Sequence, residues 1–159
     1  MMKHPKPTKI TTLGLIYNHP KLLLGMKKRG FGEGRWNGYG GKVDPGETIE
    51  ESLVREMQEE SGLTLTKFEK RATMYFEFKD YSEIIEVNVF AINEYEGELI
   101  ETEEMKPKWF DIDDLPWKDM WPDDLHWYPL FFAGKKFEGN FLFDENENVI
   151  RHELEELQS

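Results

Sequence analysis

From Gly30 to Gly46 the chain places seven glycines in seventeen residues, then runs directly into a helix with carboxylates on its packing side. Glycine has no side chain to block a ligand, so such a loop can approach one through its backbone. Trp36, Asn37 and Tyr39 stand between the glycines. Thr48 with Glu51 three residues on forms a capping box, and Gly62 is a natural C-terminal stop. At about 100° per residue, Ile49, Leu53 and Met57 form one apolar stripe, the face that packs on a core. Glu56 and Glu60 fall on or beside that stripe and Glu59 flanks it, whereas Glu51 and Gln58 point roughly opposite.

That register is unfavourable in three ways. Glu56 is three residues from Glu59 and four from Glu60, and each like-charge pair costs roughly 0.2–0.5 kcal/mol even when solvated. Burial would add to this and push protons onto the carboxylates. The glutamates also sit toward the helix C-terminus, where the macrodipole disfavours negative charge. A divalent cation would offset all three, and Mg²⁺ takes oxygen ligands while keeping several waters. The other reading is a solvated acidic face with Arg55 paired to Glu59, since charge runs usually face water.

The remaining chain bounds the choice. At 159 residues, with 38% apolar and 14% aromatic side chains, it suits one globular domain, 1–159. Its net charge of -12, from 20 basic against 32 acidic side chains, repels a nucleic-acid polymer. A phosphate-bearing ligand would therefore need positive charge from elsewhere. With no cysteine, disulfides, thiolate metal sites and cysteine nucleophiles are excluded. No apolar run has the length of a membrane span, and Met1–Lys9 lacks an apolar signal core. A soluble, cytoplasmic, monomeric protein is the expectation.

Thr8–Tyr17 and Lys21–Lys28 read as strands around a His19-Pro20 turn, and Arg71–Phe78 and Ile84–Ile92 as alternating strands. Lys108–Phe110 makes a further short strand, followed by a short turn or helix over Asp111–Leu115 that Pro116 closes. A second helix is expected over Pro122–Phe132. Lys135–Phe143 and Val149–Leu154 form a closing hairpin, although the last residues could equally be helical. Strands, a helix, more strands and another helix describe a mixed α+β sandwich.

Gly41, five residues, Glu47, seven residues, Arg55-Glu56-Met57, one residue, Glu59-Glu60, one residue, and Gly62-Leu63 resemble the complete box (41–63) of the Nudix hydrolase superfamily. The resemblance implies a Nudix fold, an α/β/α sandwich with the box as loop-helix-loop. It implies a mixed central sheet, and Glu56, Glu59, Glu60, Arg55 and Glu47 as the catalytic set: the three glutamates bind Mg²⁺, with Mn²⁺ a substitute, and Arg55 and Glu47 hold them in place. The likeness extends from Ile10 to Phe143. Gly25–Gly32, Gly34–Gly38 and Lys118–Asp124 are similar to the animal MutT-type oxidised-purine nucleoside triphosphatases, which act on 8-oxo-dGTP and 2-oxo-dATP. Carried over on that likeness, Thr12, Lys27, Asn37, Tyr39, Gly40, Gly41, Lys42, Trp121, Pro122, Asp123 and Asp124 line a nucleotide site. Glu104 and the Gly40 carbonyl join the metal ligands.

Each has an ordinary alternative. Pro122-Asp123-Asp124 could simply cap a helix. As base readers, two adjacent carboxylates in a dry pocket cannot both ionise, so one donates while the other accepts. Trp121, Phe31 and Phe76 could be stacking walls or core; Trp109, Trp117 and Trp127 read as core. Asn37 offers a donor and an acceptor to a purine edge, or is a turn residue before Gly38. Lys27 meets phosphate or solvent. Substitution around Ile85 would shift base preference. The implied activity is Mg²⁺-dependent hydrolysis of a small oxidised purine nucleotide to monophosphate and pyrophosphate. Its competitors are a Nudix enzyme for another diphosphate-linked substrate and a catalytically silent Nudix module.

Overall fold

The computed structural model describes residues 2–158. β1 (Lys9–Asn18) and β2 (Lys21–Lys27) form a hairpin, and the glycine-rich segment holds only the two-residue β3 (Trp36–Asn37) before α1 (Ile49–Ser61). β4 (Thr64–Phe78) and β5 (Tyr81–Glu96) follow, then β6 (Met105–Asp111) and two single 3₁₀ turns over Ile112–Asp114 and Trp117–Asp119. α2 (Asp124–Phe132), β7 (Lys136–Phe143) and β8 (Val149–Leu157) complete the order.

The strands run β3-β2-β1-β5-β4-β7-β8, with β6 paired to the other edge of β2. The pairings of β1 with β5 and of β4 with β7 are parallel, and the rest antiparallel, so the sheet is mixed as expected. Because strand side chains alternate between faces, each strand serves two cores. Leu13 and Leu15, Leu22 and Leu24, and Val87 and Val89 pack with Trp127, Tyr128 and Phe131 of α2. The intervening Ile16, Leu23, Phe90 and Ile92 pack with Leu53 and Met57 of α1. The result is two helices on opposite faces of one sheet.

Both caps of α1 form as the sequence predicts. Thr48 and Glu51 exchange the two capping-box bonds, and Gly62 ends the helix at φ 80°. Other boundaries moved. β4 and β5 are longer than expected because β-bulges interrupt their alternation and charged residues such as Lys67, Glu69 and Lys70 face water. The C-terminal segment is a strand to Leu157, not a helix. α2 begins at Asp124, leaving Pro122 in the preceding turn. Trp109, expected in the core, is 38% exposed on β6, which pairs on one side only.

Candidate active site

The glycine-rich segment folds back along β1. Isolated bridges join Gly14 to Tyr39 and Thr11 to Lys42, and Thr12 N–H donates to the Gly41 carbonyl at 2.9 Å. A Cβ on Gly40 would collide with the Thr12 carbonyl, so only glycine lets the loop lie this close. This brings the loop over the helix face that carries the box glutamates.

There Glu60 is buried at 5% exposure, and its Oε1 accepts from Gly40 N–H at 3.0 Å. Lys27 Nζ lies 3.9 Å from its other oxygen. Burial, reinforced by the Glu56 charge, pushes the Glu60 carboxyl up to about 8. Burial also raises Glu56, against an opposing pull from Arg55. The solvated-face reading therefore fails for Glu60 and half-buried Glu56, and holds for Glu59, which is exposed.

Arg55 organises the outer layer. It donates to Glu47 at 2.7 and 3.0 Å, to Glu56 at 3.0 Å, to Glu59 at 3.3 Å and to the Lys42 carbonyl at 3.2 Å. Its hydrogen bonds hold Glu47 down at about 2. Glu104 is held below the usual carboxylate range by Arg29 and by Lys27, the latter at 3.2 Å. Among the described residues, no three carboxylate or histidine side chains converge on one point; Arg55 is hydrogen-bonded to Glu56, and Lys27 and Arg29 to Glu104. The donor set fits a hard divalent cation nonetheless. It is all oxygen, and it includes a buried carboxylate destabilised by its neighbour.

A cavity of about 270 Å³ opens beside Glu60 and runs across the sheet to α2. Twelve of the expected residues line it: Thr12, Lys27, Phe31, Asn37, Gly40, Gly41, Lys42, Glu60, Phe76, Trp121, Asp123 and Asp124. Tyr39 does not; it is buried in the core beneath α1, its ring against Gly25. Pro122 also stays outside the lining, as do Glu47, Arg55, Glu56, Glu59 and Glu104. Thr11, Leu13, Gly32, Ile85, Val87 and Met105 line it without having been singled out as contacts, although Ile85 was read as a specificity position. The alternation of β1 and β5 points Leu13, Ile85 and Val87 to one face, the signal that could have found them.

At the α2 end, Asp123 and Asp124 are both 2% exposed. Asp123 makes no capping bond; its Oδ2 accepts from Trp127 Nε1 at 2.8 Å. Asp123 Oδ1 and Asp124 Oδ2 are buried with no partner in the protein. Burial pushes Asp123 up to about 6, and burial with the Asp123 charge pushes Asp124 well above its ordinary value. A simple cap is thus the wrong reading of this pair, and one proton shared between the two carboxyls is the arrangement that burial favours. Trp121 and Phe31 stand 5.2 Å apart at this end, and Phe76 packs on Phe141 and Phe143 behind it. Asn37 is both turn and wall: its Oδ1 accepts from Gly38 N–H at 2.9 Å while the residue lines the cavity.

Known proteins match this arrangement in sequence and in shape. A model of the NUDIX domain matches residues 7–131. The oxidized purine nucleoside triphosphate hydrolase of Danio rerio is 47% identical over 95% of this chain and 97% of its own length. That of Mus musculus is 45% identical over 96% and 97%. The crystal structure of a MutT protein from Bacillus halodurans shares the fold at a TM-score of 0.82, with 24% identity over 92% of this chain and 97% of that one. Matched by the family model over most of its length, and by two animal relatives over nearly all of theirs, the chain belongs to the Nudix family of hydrolases.

Proposed function

We propose that the chain hydrolyses oxidised purine nucleoside triphosphates, 8-oxo-dGTP and 2-oxo-dATP among them, to the monophosphate and pyrophosphate. The observation that carries the reading is the Asp123–Asp124 pair, buried with two unpartnered oxygens in the same cavity that Glu60 and Gly40 line at its other end. An oxidised purine differs from an ordinary one by a carbonyl oxygen and the N–H that accompanies it. A carboxyl that keeps its proton donates to such an edge, and its ionised neighbour accepts from it. Moving the proton between the two lets one pocket meet two base edges. The names of the two animal relatives support the same class.

With the base at α2, stacked against Trp121 and Phe31, the phosphate chain extends along the glycine loop toward Glu60. Lys27 and Lys42 line that path and offset part of the acidic surroundings. Glu56, Glu59, Glu60, the Gly40 carbonyl and Glu104 are the groups that would hold Mg²⁺, or Mn²⁺ in its place. When bound, the cation neutralises phosphate charge and lowers the pKa of water. The protein's own part is to bind the base, keep one proton on the Asp pair, exclude water from the stacked face and fix the glutamates through Arg55. The substrate is a free nucleotide, since a net charge of -12 disfavours a nucleic-acid polymer.

A hydrolysis panel read by chromatography of all products tests the proposal, comparing 8-oxo-dGTP, 2-oxo-dATP, a dinucleoside polyphosphate and a nucleotide sugar, with and without chelator. Mg²⁺-dependent release of pyrophosphate from the two oxidised nucleotides, lost in Glu56→Gln, is the expected result. Faster turnover of the other two would replace the substrate assignment, and no hydrolysis of any would leave a silent binding module.

A further inference from the structure

Arg35 has no place in the site described so far, yet it touches one wall of it, Trp121. It lies in the glycine-rich segment just before β3, with its guanidinium 4.0 Å over the Trp121 ring. Its Nη1 is buried 3.1 Å from Glu147 Oε1, held by charge rather than by an aligned hydrogen bond. Glu147 sits in the β7–β8 hairpin at φ 64°, the one non-glycine residue with positive φ among those described. A glutamate in the left-handed region carries a conformational cost, and such cost marks positions that the surroundings hold in place. From Glu147 to Arg35 to Trp121, three chain segments remote in sequence meet behind the base-binding wall.

We propose that Arg35, braced by Glu147, is a positioning and specificity-determining residue that fixes the Trp121 wall from behind and sets the proton count of the Asp123–Asp124 pair. The inference rests on the proposed reading of that pair. An arginine over an indole fixes the ring through cation–π attraction, worth more when desolvated. Its seat on Trp121, two residues before Asp123, brings this cation near the buried pair, and a nearby cation favours the ionised forms of carboxyls. Burial raises both groups and the Arg35 charge opposes it at each, as required to leave one proton between them near neutrality. The other charged or titratable groups facing the pair are Tyr128 on α2 and, across the cavity, Lys9, Lys42, Lys27 and Glu60. The first is neutral at these pH values, and Glu60, raised to about 8, titrates above the acid limb and is the same in every variant compared.

The test is binding of 8-oxo-dGMP without metal, followed by tryptophan fluorescence from pH 5 to 9, in wild type, Arg35→Gln, Arg35→Lys and Glu147→Ala. dGMP is the control ligand. Removing the charge raises both carboxyl pKa values, so the window with one shared proton moves upward. Arg35→Gln is expected to weaken binding about 5- to 20-fold. Its acid limb should shift up by about half a pH unit or more, with the greater loss at the acid end. Arg35→Lys keeps the charge without the flat face, so its acid limb should stay near wild type while affinity falls. Glu147→Ala should fall between wild type and Arg35→Gln in affinity. A pH profile unmoved in Arg35→Gln overturns the proton-count role, and unchanged affinity overturns the wall role. Wild type binding 8-oxo-dGMP no tighter than dGMP would instead overturn the base-reading assignment.

Discussion

A Cβ built on Gly41 would stand 2.6 Å from Glu56 Cδ and 2.8 Å from both of its carboxylate oxygens. The glycine that opens the box thus leaves the space that the Glu56 carboxylate occupies. Gly41→Ala should displace that carboxylate while leaving the backbone intact, because the clash is with a flexible side chain. Misplacement of about 1 Å at a reacting centre can cost about 100-fold. The expected outcome is a loss of kcat of that order with little change in the melting temperature, read by steady-state assay and thermal denaturation.

Arg55 touches Glu47, Glu56, Glu59 and the Lys42 carbonyl at once, so its removal frees both glutamates of the box helix and the loop. Loss of such a supporting group typically costs about 10- to 100-fold in metal affinity or activity. Arg55→Ala should show that loss as a higher Mg²⁺ concentration for half-maximal rate. Arg55→Lys should recover little of it, because an ammonium cannot reproduce the forked contacts. The comparison is a Mg²⁺ titration of the rate.

Much of this was legible in the sequence, and the exceptions have physical causes. The stripe of Ile49, Leu53 and Met57 fixed which glutamates turn inward, and Glu60 is indeed buried where helical geometry put it. Asp123 and Asp124 could not be separated from a helix cap by pattern alone, since the difference lies in what Asp123 bonds to, and Trp127 reaches it only once α2 is folded. Tyr39 misled because its loop neighbours face the cavity while a bridge to Gly14 turns its own ring into the core. Arg35 gave no signal, since an arginine among glycines reads as solvated until Trp121 and Glu147 close around it.

The Asp pair predicts a pH dependence of stability. Burial raises the folded Asp123 to about 6 from an unfolded value of 3.8, and raises Asp124 as well. The unfolded chain therefore releases these protons first, and stability present at low pH is lost as pH rises through the folded values. Asp124→Asn, which cannot ionise, should be more stable than wild type at pH 8 and gain little at pH 4. Thermal denaturation across that range is the measurement.

Gly14 governs how closely α1 approaches the sheet. A Cβ there would lie 3.0 Å from Leu53 Cδ1 and 3.1 Å from Met57 Cε, both fully buried. Overpacking of this kind costs about 1–3 kcal/mol. Gly14→Ala should lower the melting temperature by about 2–4 °C for each kcal/mol lost. It should also reduce kcat, because lifting α1 shifts Glu56 and Glu60 with it.

The most direct measurement is the ratio of kcat/KM for 8-oxo-dGTP to that for dGTP, in wild type and in Asp123→Asn, at saturating Mg²⁺. Wild type should prefer the oxidised base by at least about tenfold, and the variant, which holds the same shape without the titrating proton, should fall toward parity. A wild-type ratio near one, or a preference untouched by the substitution, would contradict the reading of this pair as the group that selects the base.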